Sequence, residues 1–148
     1  MSLQDRVSQE IKTAMLARDA FRLGTLRLLK SAMGYAQIEK KVEQLPDAEV
    51  IQIVQREIKK RRDSVEQYQA AGRTEQAASE SSEITILESF LPKALSAEEI
   101  EAMVRATIAE LGASSKKDMG PVMKAIQAKA AGRAEGKSIS ALVSKLLP

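Results

Sequence analysis

The sequence predicts an all-α protein, and three observations carry that prediction. Apolar residues recur at i, i+3, i+4 and i+7 almost from end to end of the 148 residues. No segment alternates apolar and polar as a half-buried strand would. Ser, Thr and Asp stand where helices start, and Gly or Pro where they stop.

The first helix is expected over about Ser2–Ala17, with Ser2 as cap and Asp5 three places on, the spacing of a capping box. Leu3, Val7, Ile11 and Met15 form its stripe. Asp19 opens a longer helix to about Val42. Its apolar residues, Phe21, Leu26, Leu28, Leu29, Met33 and Ile38, cover a wide arc, as a central element touched from several sides requires. Gly24 and Gly34 cost helix propensity and are read as points of close helix approach. After the break at Leu45-Pro46-Asp47, Val50, Val54, Ile58, Val65 and Tyr68 define the buried face of a third helix, which Gly72 stops. Thr74 is expected to cap a fourth, with Ile84, Leu87 and Leu91 on its stripe.

Pro92 interrupts the periodicity and marks the boundary between a multihelical domain, 1–93, and a small three-helix domain, 94–148. Ser96-Ala97-Glu98-Glu99 is a capping box for a helix through Ile100, Met103, Val104, Ile108 and Leu111, ended at Gly112. A sixth helix spans about Asp118–Ala131, with Pro121 tolerable in its first turn. Gly132 ends it, and Ile139, Leu142, Val143 and Leu146 mark the last.

Composition removes several functions. The chain has no Cys, His or Trp. Disulfides, thiolate metal sites, and Ser-His-Asp or Cys-His catalysis are therefore excluded within this chain, and a zinc site would need carboxylates alone. Aromatics make up 3% of residues, too few for a base-stacking platform. No run is long and apolar enough for a membrane span, and the start of the chain has no signal-peptide core. A reducing, cytoplasmic setting, a monomer and no cofactor are expected.

Charge is uneven. Lys116–Pro148 carries seven basic and two acidic residues, whereas Met1–Lys93 is nearly balanced. On a helical wheel Lys117 and Lys124 lie opposite the Met119/Val122/Met123/Ile126 stripe and so face water. A positive face of this kind suits contact with a phosphate backbone; a plain solvated helix surface is the alternative. In a second basic run, Arg56–Arg62, the wheel puts Arg61 among Val54, Ile58 and Val65. A charge there needs an internal partner, and Glu80 on the fourth helix is the one expected, as a structural ion pair. The segment from Gly132 to Gly136-Lys137-Ser138 approaches a P-loop. It has three residues between the glycines where four are needed, and no strand precedes it, so nucleotide binding is not expected.

Two runs carry a family resemblance: LRLLKSA, REIKKRRDSVEQYQAAGRTE and EITILESFLP in the first part, and KDMGPVMKAIQAKAAGRAEGKSISALVSKLL in the second. From about Leu3 to Leu147 the chain resembles the standalone YqeY family. That family shares its module with the C-terminal tail of the B subunit of tRNA-dependent amidotransferases. The resemblance implies a two-part helical fold and a tRNA-recognising appendage. The transamidation chemistry, a carbon–nitrogen ligation with glutamine as amido donor, belongs to other parts of that enzyme. The matched motif places Lys117, Asp118, Met119 and Gly120 at a helix entry, and Gly132, Arg133, Gly136 and Lys137 at a turn. An RNA-contacting role is carried onto basic residues: Lys117, Lys124, Lys129, Arg133 and Lys137. Pro121 departs from the pattern, where a Lys or another non-proline is expected in relatives. The expected function is thus an accessory tRNA- or RNA-binding module without catalytic machinery of its own. The alternatives are a protein–protein adaptor, or an amidotransferase component active only with other subunits.

Overall fold

The computed structural model describes all 148 residues. It contains seven α-helices and no strand: α1 Leu3–Leu16, α2 Ala20–Lys40, α3 Asp47–Ala70, α4 Thr74–Glu88, α5 Ala97–Leu111, α6 Met119–Ala130 and α7 Gly136–Leu146. A 3-10 turn, Lys116–Asp118, leads into α6. The chain divides into two compact units, Met1–Leu91 and Pro92–Pro148. The sequence reading places that boundary after Lys93. Lys93 goes with the second unit because Arg133 Nε donates to its carbonyl at 2.9 Å, while the Leu95 N–H donates to the Arg133 carbonyl at 2.8 Å.

In the first unit, α3 and α4 form a long hairpin closed by Gly72, whose φ of 73° places it in the left-handed region that glycine adopts without strain. α1 and α2 pack on it around Val7, Ile11, Leu26, Leu29, Met33, Val50, Val54, Ile58, Leu87 and Phe90. The start of α1 is held twice. Ser2 Oγ accepts from the Asp5 N–H at 3.1 Å, and Asp47 Oδ1 from the Leu3 N–H at 2.9 Å. Arg6 stacks 5.0 Å from the centre of the Phe90 ring and donates to the Ser89 carbonyl at 2.8 Å, fastening α1 to the end of α4.

Two expectations are corrected here. Thr74 is the first residue of α4, not its cap; Arg73 holds the cap position without a side-chain bond. More consequentially, α2 meets α1, α3 and α4, but these leave part of its apolar arc uncovered. Leu26, Leu29 and Met33 are buried, but Phe21, Leu28 and Ile38 lie in water, and a Cβ built at Gly24 or Gly34 would meet nothing within 4 Å.

The second unit packs α5, α6 and α7 around Ile100, Val104, Val122, Ile126, Ala130, Ile139, Val143 and Leu147. This core is wholly aliphatic; both Phe and both Tyr belong to the first unit. Ser96 Oγ accepts from the Glu99 N–H at 3.1 Å, and Gly112 closes α5 at a φ of 62°. Asp118 accepts from the N–H groups of Ser114 and Ser115 and so fixes the turn into α6. Ala131 and Gly132, both with positive φ, turn the chain toward α7.

Candidate nucleic-acid interface

The basic residues of the second unit fall into two groups. Lys117 sits in the 3-10 turn, Lys124 in the middle of α6 and Lys137 in the first turn of α7; all three are exposed. No ion pair involves them. The 3-10 turn runs straight into α6, so Lys117 and Lys124, seven residues apart, share its outer side, opposite the buried Val122 and Ile126. Lys137 lies where the first backbone N–H groups of α7 have no intrahelical acceptor, so its charge adds to an already positive helix end. Lys116 and Lys145 are also exposed. The sequence reading counts them in the basic surplus without assigning them to the interface, yet the adjacency of Lys116 to Lys117 is visible in the sequence itself.

Lys129 and Arg133 form the second group: both are exposed, and each also makes a structural contact. Lys129 Nζ donates to Glu110 Oε2 at 2.7 Å and to Thr107 Oγ1 at 3.1 Å. Thr107 is completely buried on α5 and donates its own hydroxyl to the Met103 carbonyl at 2.8 Å. The lysine therefore ties α6 to α5, and Glu110 offsets its charge. Arg133 commits its Nε to the Lys93 carbonyl, holding the entry segment against the α6–α7 turn.

In the first unit, Arg61 is buried, as its place on the wheel requires, but Glu80 is not its direct partner. Arg61 Nε reaches Glu83 Oε2 at 3.2 Å and its Nη1 reaches Glu57 Oε2 at 3.5 Å. Glu83 also takes a hydrogen bond from Thr25 on α2 at 3.4 Å. The partner lies about one turn further along α4 because Glu83 faces Arg61 across the α3–α4 seam. Glu80 joins through Glu83, to which it is hydrogen-bonded. Burial raises its pKa above the ordinary 4.5, and the bond to Glu83 and the charge of Glu83 push the same way against the lowering pull of Arg61. This cluster has no nucleophile and no metal-ligand spacing; it locks α3, α4 and α2 together.

The segment from Gly132 to Ser138 contains no phosphate-binding loop. Gly136 is already the first residue of α7, and the segment follows a helix, not a strand.

The family model for Yqey-like proteins matches residues 4–147. The chain belongs to the YqeY family. Among curated relatives, this YqeY-family chain is 32% identical over 108 residues to altered inheritance of mitochondria protein 41, mitochondrial, of Kluyveromyces lactis, covering 71% of this chain and 58% of that protein. The protein of the same name from Lachancea thermotolerans is 29% identical over 111 residues, or 74% of this chain and 59% of that protein. Uncharacterized protein C22F3.15 of Schizosaccharomyces pombe is 30% identical over 92 residues, 62% and 74% of the two chains. The YqeY-family chain thus spans under two-thirds of the two mitochondrial relatives. None of its helices is long and apolar enough to cross a membrane.

Proposed function

We propose that this chain is an accessory RNA-binding module that engages the phosphate backbone of tRNA through Lys117, Lys124 and Lys137, without catalytic machinery of its own. The observation that carries the reading is the state of those three lysines: exposed, outside any ion pair, in a segment with seven basic and two acidic residues. The resemblance to the tail of the amidotransferase B subunit supplies the class of RNA. Lys129 and Arg133 support the surface from behind by holding α5, α6 and the entry segment in place. Cytoplasmic placement belongs to the same proposal, and the word mitochondrial in two relatives' names makes an organelle the competing compartment.

The test is tRNA binding by the full chain across a salt series, beside the variant K117E/K124E/K137E. Each phosphate neutralised contributes about 0.7–0.9 to the slope of log affinity against log salt, so the wild type should weaken steeply. The triple variant should lose at least tenfold in affinity and about two units of slope. The reading fails if the wild type does not bind at low salt, or if the variant binds as the wild type does.

A further inference from the structure

The outward face of α2 has no use in the RNA reading. Phe21, Leu28, Tyr35 and Val42 stand seven residues apart along and just beyond α2, and Gly24, Ser31 and Ile38 follow the first three at a spacing of three. Residues seven apart on an α-helix differ by only about 20° in direction, so the six positions within α2, from Phe21 to Ile38, form one stripe, and Val42 follows beyond the left-handed Lys41. These side chains lie in water: Phe21 is 44% exposed, Leu28 54%, Tyr35 76%, Ile38 77% and Val42 40%. Arg27 and Glu39 are the only charges on that arc, one on each rim. Together the five side chains leave roughly 600 Å² exposed, at or above the largest patch of an ordinary monomer.

From Phe21 to Tyr35 large and small residues alternate along this stripe, and that alternation is self-complementary. We propose that α2 pairs antiparallel with α2 of a second copy. The register sets Phe21 against Ile38 of the partner subunit, Gly24 against Tyr35 of the partner subunit, and Leu28 against Ser31 of the partner subunit. The two-fold axis repeats each pair, so the seam has six layers, four of which place a large side chain against a small one. The open space beside Gly24 receives the tyrosine ring. A parallel pairing in register would set Tyr35 against Tyr35 of the partner subunit, and Gly24 against Gly24 of the partner subunit, producing crowding and voids in turn. Antiparallel helices also oppose their dipoles, and this register brings Glu39 beside the start of the partner's α2, where Arg18 of the partner subunit stands. Such an interface is isologous and buries about 1,200 Å² in total, the lower edge of a stable one. An interface at that edge makes a weak, reversible dimer, expected to form in the micromolar range.

Sedimentation equilibrium of the full chain from about 5 μM to roughly 500 μM tests this, beside Y35E and G24L. Wild type should pass from monomer to dimer within that range, and each variant should raise the Kd at least tenfold. Thermal unfolding at low concentration shows whether the monomer is intact. G24L should leave it at least as stable, since glycine is a poor helix former and the space beside Gly24 is open. Because the chain lacks cysteine, single substitutions report the register. On oxidation S31C should cross-link near the two-fold axis, whereas I38C should not. A wild type monomeric throughout, variants that associate as it does, or cross-linking of both cysteine variants would each overturn the proposal.

Discussion

Arg61 is only 8% exposed, and what it does there is settled by its neighbours, not by its own charge. Two carboxylates, Glu57 and Glu83, meet the guanidinium, and the Thr25 hydroxyl takes up part of Glu83's remaining bonding capacity. Arg61→Met leaves those carboxylates facing one another without a cation, and should cost about 3 kcal/mol of stability by chemical unfolding. Glu80 shows the opposite sign. Its folded-state pKa is raised, so the protonated form favours folding. That contribution is complete below the ordinary value of 4.5 and is lost as pH rises through the raised one. At neutral pH Glu80→Gln should therefore stabilise the protein, keep a donor for Glu83, and flatten the stability profile above pH 4.5; melting curves across pH check this. That Arg61 needed an internal partner could be read from the helical wheel. Which glutamate it chose could not, because Glu80 and Glu83 lie within a turn of each other on α4 and the α3–α4 register selects between them. The same limit applies to Lys129. The sequence shows it as one more lysine in a basic segment, and only the packing of α5 against α6 brings Glu110 and Thr107 to its ammonium.

At the scale of the helix, local chemistry carried most of the information. Ser2 and Ser96 cap their helices as the spacing requires, and Gly72 and Gly112 stop theirs in the left-handed region. Gly112→Ala should accordingly cost about 1 kcal/mol, since alanine must adopt a φ of 62° with nothing gained in the open space around it. Denaturant unfolding measures that loss. α2 is where such reasoning stops. Its wide apolar arc means contact on several sides, and periodicity cannot say whether the second contact comes from the same chain. Leu26, Leu29 and Met33 find theirs within the first unit, while Leu28, Tyr35 and Ile38 do not. A helical wheel reports that a face is apolar, not whose surface covers it.

At the scale of the whole molecule, each of the two units has a core of its own, and the aliphatic make-up of the second has a practical consequence. With no Trp in the chain and both Tyr and both Phe in Met1–Leu91, the second unit absorbs and emits nothing of its own in the near ultraviolet. Tyrosine fluorescence and near-ultraviolet dichroism therefore follow the first unit alone, while far-ultraviolet dichroism follows both. If the units melt at different temperatures, the two signals should give separate midpoints on the same sample, and the difference between them isolates the second unit. A tryptophan placed at the exposed Ala128 on α6 would give those helices a light of their own.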